Sequence, residues 1–263
     1  MEHSVYKNSF RVKPLVSIIT VVKNDEHGLL RTIRSVSNHK WSGLEYIVID
    51  GGSTDGTLEK IRQNETCITH WISEQDSGIY DAMNKGITLS SGDYLLFLNS
   101  GDELVADLDA LSAIFAEGYF MVYGKANMLH KDGSLSYVKG KQLKSLAKLI
   151  RGTPLCHQAI LYKKDAIVVY DCRYRIIADR VLTYELVKRD GLNRSKFVDI
   201  PIANYYEGGY SRQHEEQWKD EEFQFQREAG YYLYASYRQF SWWFKKNVTR
   251  PLQKHLRKEE HSG

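Results

Sequence analysis

Gly92-Asp93-Tyr94-Leu95-Leu96-Phe97-Leu98-Asn99-Ser100-Gly101-Asp102-Glu103 is the stretch on which the fold turns. Five apolar or aromatic residues, Tyr94 to Leu98, run without interruption. That length suits a strand buried on both faces of a mostly parallel sheet. The run ends on polar and acidic residues with a Gly among them. In open α/β sheets ligands sit just beyond the carboxyl ends of the strands. Asn99 to Glu103 therefore falls where a site is expected, and Asp102 is a candidate to hold a hard divalent cation against a phosphate. The competing reading is an ordinary strand exit with solvated acids.

Working back from this strand, the same grammar repeats. Val16 to Val22 is a β-branched run that reads as the first strand and ends at Lys23-Asn24-Asp25. Leu29, Leu30, Ile33 and Val36 recur at helical spacing. Tyr46 to Ile49 is a second buried strand, ending at Asp50 and followed by Gly51-Gly52-Ser53-Thr54-Asp55-Gly56-Thr57. Ser53, Thr54 or Asp55 is expected to cap the next helix, which carries Leu58 and Ile61. Ile68 to Ile72 is a third strand, ending at Ser73-Glu74-Gln75-Asp76. A helix with Ile79, Met83 and Ile87 on one face follows, with Asp81 and Lys85 an i,i+4 pair on another. Four strands thus alternate with three helices, a doubly wound α/β half-domain. Asn24, Asp50, Asp76 and Asp102 all fall at one edge of the expected sheet, which points to a polar ligand site there.

Composition bounds the alternatives. The chain has 263 residues, 26% charged and 42% hydrophobic, with a formal net charge of +3. It reads as globular, with a core of useful size, and as no dedicated nucleic-acid binder. Cys67, Cys156 and Cys172 form no CxxC pair, which suggests reduced thiols in a cytosolic setting. Met1 to Lys13 has no apolar segment of the signal-peptide kind, and no run approaches a membrane span. The dinucleotide fingerprint is broken, because Ser53 stands where its second Gly belongs. No phosphate-binding GxxxxGK[ST] loop is present either.

Taken together, Ser17-Ile18-Ile19-Thr20, Val48 to Thr57, Ser73 to Gly86 and Phe97 to Asp102 resemble the large family-two inverting glycosyltransferases. More narrowly, they resemble the branch that builds bacterial colanic-acid, capsule and O-antigen repeats. The resemblance covers roughly Pro14 to Tyr210. It implies a GT-A fold, α/β with a mixed, mainly parallel, Rossmann-like sheet flanked by helices. It also implies a nucleotide-sugar donor, a UDP-sugar, and a divalent cation, Mn²⁺ or Mg²⁺.

Residue roles follow from the motifs. Thr20 and Val22 match positions lining the nucleotide pocket, with Asn24 beside them. Asp50 matches the acid that contacts the base, and a carboxylate can accept the N3–H of uracil. Gly78, Asp81 and Lys85 match the donor-binding segment, where Ser77 as N-cap would aim free N–H groups at phosphate. Asp81 and Lys85 also suit a solvated helix pair. The family's Asp-x-Asp-Asp motif is reduced here to Asn99-Ser100-Gly101-Asp102. Asp102 matches the metal-contacting position, Asn99 can accept from a ribose hydroxyl, and Ser100 completes the donor set. His157, in Cys156-His157-Gln158, either meets the diphosphate or acceptor or is structural. Asp179 falls where the family places its catalytic base, although an acid at a helix start is also a cap.

The rest of the chain is less regular. A helix is expected over 107–116, a strand over 120–123, a hairpin over 128–138 turning at Asp132-Gly133, and a basic helix over 143–150. Asn204 to Ser211 resembles a closing loop whose double Gly suits a lid. The expected organisation is a tail over 1–13, a catalytic domain over 14–211 and a helical extension over 212–263. Within the catalytic domain, 14–103 is the nucleotide-sugar half and 104–211 the acceptor half. In the extension, Tyr231 to Phe244 holds four Tyr, two Phe and two Trp, and Lys245, Lys246, Arg250, Lys254, Arg257 and Lys258 follow. Aromatic residues beside a basic segment suit an anionic membrane surface on the cytoplasmic side, where a lipid-linked glycan acceptor would lie. Packing on the chain's own domain or on a second copy, and binding of RNA, are the rival readings. A homo-oligomer is left open. Two other functions compete with glycosyl transfer. One is a sugar-nucleotidyltransferase, which lacks its usual Gly-rich basic loop around 20–28. The other is a non-catalytic scaffold on a degenerate glycosyltransferase fold.

Overall fold

The computed structural model describes residues 2–3, 15–208 and 214–249. The chain falls into two compact units, Met1–Gly209 and Tyr210–Gly263. The first is built on a sheet of ten strands among the described residues. In chain order these are β1 (Glu2–His3), β2 (Val16–Val22), β3 (Leu44–Asp50), β4 (His70–Ser73), β5 (Tyr94–Phe97), β6 (Glu103–Leu104), β7 (Met121–Leu129), β8 (Leu135–Lys139), β9 (Ile160–Lys163) and β10 (Ser195–Tyr206). The spatial order is β1-β4-β3-β2-β5-β9-β7-β10-β6, with β8 paired to β7. Parallel pairing joins β4, β3, β2 and β5, and separately β7 and β10. Strand β9 enters antiparallel between β5 and β7.

The β-branched run of β2 is buried at every position, as a central strand covered on both faces must be. One face, carrying Val16, Ile18 and Val22, joins Leu29, Ile33 and Val36 of α1 (Glu26–Ser37) and Ile61 of α2 (Thr57–Gln63) in a single core. The other face meets α3 (Ile79–Leu89). There Gly86 lies so close to the sheet that an added Cβ would stand 2.4 Å from Ile19 Cγ2. Any side chain at 86 would push α3 off β2. Register then brings the strand ends into line: Val22 pairs with Asp50 and Asp50 with Ser73. Beyond β5, Leu98 N–H donates to the Ile19 carbonyl and Ser100 N–H to that of Val21, so residues 99–100 lie beside the end of β2.

Several expectations are corrected. The tail contains β1, which pairs with β4 through Glu2–Ser73 and His3–Ile72. Residues 121–129 form one nine-residue strand rather than a short strand and a separate hairpin arm; its partner β8 closes the turn at Asp132-Gly133. The helix expected over 107–116 is a 3₁₀ turn at Asp109–Leu111 followed by α4 (Ser112–Ala116). The basic helix shrinks to α5 (Ala147–Arg151). Asn204 to Tyr206 are strand, paired with β6 and β7, and so form no part of a lid; residues 209–211 lie outside the described residues. Helix α6 (Ala178–Asp190) leads from the β9 side into β10.

The second unit is a helical hairpin, α7 (Glu215–Glu228) and α8 (Tyr232–Phe244), turning at Gly230 with φ +86°. Phe223 packs edge-on to Trp242, and buried Glu222 pairs with Lys219 at 2.8 Å and Arg238 at 3.6 Å. No described helix is long and apolar enough to cross a membrane.

Candidate active site

The parallel strands β2, β3 and β4 release their chains at a common edge, and hydrogen bonds knit the exits together. Asp50 has no exposed surface. Its carboxylate accepts from Ser53 N–H at 3.1 Å, Ser53 Oγ at 2.5 Å and Ser73 Oγ at 2.6 Å. Asn24, at φ 52°, accepts from Thr54 N–H through Oδ1 at 2.8 Å, while its own N–H donates to Ser53 Oγ at 2.7 Å. The 51–57 loop is thereby held from both sides. It ends with Asp55 accepting from Thr57 N–H at 2.9 Å, one residue before the cap position at Gly56. Thr20 is directed inward: its hydroxyl donates to the Leu98 carbonyl at 2.7 Å and accepts from Tyr46 Oη. Val22 is likewise buried.

On the neighbouring exit, α3 starts at Gly78 with φ 125° and no side-chain cap, so Ser77 is not the N-cap. Instead Asp81 reaches back and accepts from Ser77 N–H at 2.9 Å, and Asp76 accepts from Gly78 N–H at 2.9 Å. Lys85 stands 3.8 Å from Asp81 but 2.9 Å from Glu74, and it also donates to the Gln75 carbonyl at 3.0 Å. Glu74 is therefore its principal partner, a pairing that i,i+4 spacing could not indicate.

The 99–102 turn is fixed by α1. Thr32 Oγ1 accepts from Gly101 N–H at 3.0 Å and donates to the Asp102 carbonyl at 2.8 Å. Arg31 donates to the Gly101 carbonyl at 3.3 Å, and Ser100 Oγ donates to Asp25 Oδ2 at 2.8 Å. Burial pushes the Asp102 carboxyl well above the usual range, against hydrogen bonds from Tyr206 N–H and Gln158 and the nearby Arg31 charge. Asn99 Oδ1 is a buried acceptor with no donor among the described residues. An orphaned oxygen and a buried carboxyl on one turn fit a hard cation, which takes oxygen ligands and would offset the cost of ionising Asp102. Among the described residues no group of three or more His, Cys, Asp or Glu could hold a metal. A cation here would depend on a diphosphate and water for its remaining ligands.

Asp179 lies in the first turn of α6, half-buried, but its side chain does not cap the helix. Its Oδ1 accepts from Tyr80 Oη at 3.0 Å, and Oδ2 has no partner among the described residues. Gln158 hydrogen-bonds Asp102, and its neighbour His157 is bonded to Tyr170, whose ring lies 5.3 Å from that of Tyr80, the partner of Asp179. His157 faces the interior. It is stacked on Phe97, with Nε2 2.8 Å from Tyr170 Oη, and burial lowers its pKa. That is the structural alternative of the two its sequence position offered. The roles of Arg31, Thr32, Tyr80 and Tyr206 were missed from sequence. Tyr80 and Tyr206 had a signal, since they stand inside the 73–86 and 204–211 motifs; Arg31 and Thr32 had none. All three cysteines are free.

Comparison with known proteins bears on the family and the fold. The glycosyl transferase family 2 profile matches residues 17–218. An uncharacterized glycosyltransferase of Mycobacterium tuberculosis is 36% identical over 178 residues, 64% of this chain and 66% of that protein, so the match spans just under two thirds of its length. A PGL/p-HBAD biosynthesis glycosyltransferase of Mycobacterium bovis is 31% identical over 74% of this chain and 78% of its own. A Campylobacter jejuni GalNAc(5)-diNAcBac-PP-undecaprenol β-1,3-glucosyltransferase is 30% identical over 47% of this chain and 41% of its own. Among solved structures, glucosyl-3-phosphoglycerate synthase from Mycobacterium tuberculosis with Mg²⁺ and UDP superposes with a TM-score of 0.53 at 16% identity, over 78% of this chain and 76% of that one. The chain belongs to glycosyl transferase family 2 and has the GT-A fold.

Proposed function

We propose that the chain transfers a sugar, with inversion, from a UDP-sugar to a hydroxyl of a lipid-linked oligosaccharide in bacterial surface polysaccharide synthesis, of the O-antigen, capsule or exopolysaccharide kind. The observation that carries the chemistry is Asp179, half-buried, with one carboxylate oxygen held by Tyr80 and the other without a partner among the described residues. In this reading Asp179 takes the proton from the acceptor hydroxyl as that oxygen attacks the anomeric carbon. The bond from the anomeric carbon to the diphosphate breaks on the opposite face, and its electrons leave with UDP. An α-linked donor yields a β-linked product.

Asp50 is assigned to the base, with the 51–57 loop as its frame. Asn99 and Asp102 are the residues that would hold a divalent cation, whose chemistry when bound is to offset the charge of the departing diphosphate. Lys85 would assist by turning from Glu74 toward the phosphates. The UDP and Mg²⁺ of the solved Mycobacterium tuberculosis relative support this donor and this ion. The undecaprenol-linked acceptor named for the Campylobacter jejuni relative supports the lipid-linked class.

Calorimetric titration of UDP, with and without Mn²⁺ and beside GDP and CMP, tests the donor site. UDP is expected to bind alone, to bind about tenfold or more tightly with Mn²⁺, and to lose only the metal-dependent gain in Asp102→Asn. Absence of any nucleotide binding would overturn the reading in favour of a scaffold.

Helix α8 supports attachment to a membrane surface. Tyr232, Leu233, Tyr237, Phe240, Trp243 and Phe244 are all exposed. At 100° per residue they occupy one face about 140° wide. Ala235, buried, and Trp242, packed on Phe223, lie away from it. Lys245 and Lys246 follow directly, a composition suited to anionic headgroups; the remaining basic residues, Arg250 to Lys258, lie outside the described residues. The protein should co-sediment with phosphatidylglycerol vesicles and not with neutral ones, and Leu233→Glu with Phe240→Glu should release it. Equal recovery of that double variant with the anionic vesicles would discard the assignment.

A further inference from the structure

Tyr80 and Asn84 stand four residues apart on α3 and so share one face of the helix. Both grip the segment that leads into Asp179. Asn84 Nδ2 donates to the Tyr170 carbonyl at 3.0 Å, and its Oδ1 accepts from Tyr170 N–H at 2.7 Å. A side-chain amide, donor and acceptor at once, is suited to hold both polar groups of one residue. Six to nine residues later Tyr80 closes the other end: its hydroxyl lies 2.7 Å from the Ile176 carbonyl and 3.0 Å from Asp179 Oδ1. The Tyr80 ring is buried, 5.3 Å from that of Tyr170, so the hydroxyl is delivered from a fixed support. Between these two points the chain has no helix or strand of its own.

We propose that Tyr80 and Asn84 are positioning residues for Asp179, and that α3 serves as the common ruler for donor and base. The inference rests on the reading of Asp179 as the base. Asp81 and Lys85, the donor-contact candidates, follow Tyr80 and Asn84 by one residue each, a row about 100° round the same helix. One rigid element therefore presents one row toward the donor's phosphates and another toward the base. Holding Oδ1 with the Tyr80 hydroxyl fixes the carboxylate plane and leaves Oδ2 for the acceptor proton. A displacement of the base by a fraction of an ångström costs rate without touching nucleotide affinity.

The test is steady-state turnover of full-length protein, read as UDP release from the UDP-sugar that a panel identifies, together with UDP calorimetry. Tyr80→Phe removes one oxygen and keeps the ring. It is expected to lower kcat about tenfold to a hundredfold, with the donor KM and the UDP Kd unchanged. Asn84→Asp, nearly isosteric but unable to donate to the Tyr170 carbonyl, is expected to lower kcat in the same way. Asp179→Asn run in parallel separates the two ideas. If it turns over normally, the base assignment fails. If it is inactive while Tyr80→Phe and Asn84→Asp keep kcat within twofold of wild type, the positioning role alone is overturned. A rise in KM and Kd that accounts for the whole loss would equally overturn it.

Discussion

Asp179→Asn is expected to lower transfer by about three orders of magnitude while leaving UDP affinity unchanged. The size follows from losing a general base, about 10²–10⁴ in rate. Selectivity for the chemical step follows from the surroundings. An Asn at 179 still offers Oδ1 to the Tyr80 hydroxyl, so the side chain and the segment before it stay where they are. What it cannot do is accept a proton on the atom that replaces Oδ2. The neighbouring groups are poor substitutes. His157 is buried, bonded to Tyr170 and held neutral by its environment. Asp102 is buried and already accepts from Tyr206 N–H and Gln158. Single-turnover kinetics with saturating donor measures the loss directly, and a rate within tenfold of wild type would show that the proton goes elsewhere.

The first half of the fold was legible because its signals are local. Buried parallel strands are near-continuous apolar runs, and Val16 to Val22, interrupted only by Ser17 and Thr20, and Tyr94 to Phe97 are such runs in both sequence and structure. The second half was harder because its strands mix classes. Strand β7 contains Gly124, Lys125 and Asn127, which read as a break. In the sheet β10 comes close at Gly124: an added Cβ would lie 2.7 Å from the Ile200 carbonyl. That requirement belongs to a partner more than seventy residues away and leaves no local trace. The site divides in the same manner. Acids at strand ends could be recognised from the runs they terminate. Their partners could not, because Thr32 meets Gly101 and Tyr80 meets Asp179 only through the crossovers of the sheet. Glu45 is the extreme case. It is buried in β3 and accepts from Ser17 Oγ, Ser91 N–H and Ser91 Oγ, yet in sequence it is one charged residue just before an apolar run.

Asp50→Ala should cost both stability and nucleotide binding, and the two losses have one cause. The substitution removes the acceptor for Ser53 N–H, Ser53 Oγ and Ser73 Oγ at a position without solvent exposure. Leaving buried donors unpaired costs about 1–3 kcal/mol each, less where a hydroxyl can turn to another acceptor. A net loss of about 2–4 kcal/mol, or roughly 5–10 °C in Tm, is expected. Ser53 also receives the Asn24 N–H, and Asn24 in turn holds Thr54, so the whole 51–55 loop loosens with it. If that loop and carboxylate frame the uracil, UDP affinity should fall at least a hundredfold, beyond what lowered stability explains at a temperature where the variant is folded. Asp50→Asn separates frame from readout. Its Oδ1 can still accept one of the serine hydroxyls, and the other hydroxyl can rotate to accept from Nδ2, so most of the stability should return. Its amide, however, can donate to the N3 of cytosine as readily as it accepts from the N3–H of uracil, whereas a carboxylate only accepts. The preference for UDP over CDP should therefore narrow in Asp50→Asn while Tm stays near wild type. An unchanged preference would mean that Asp50 shapes the loop without reading the base.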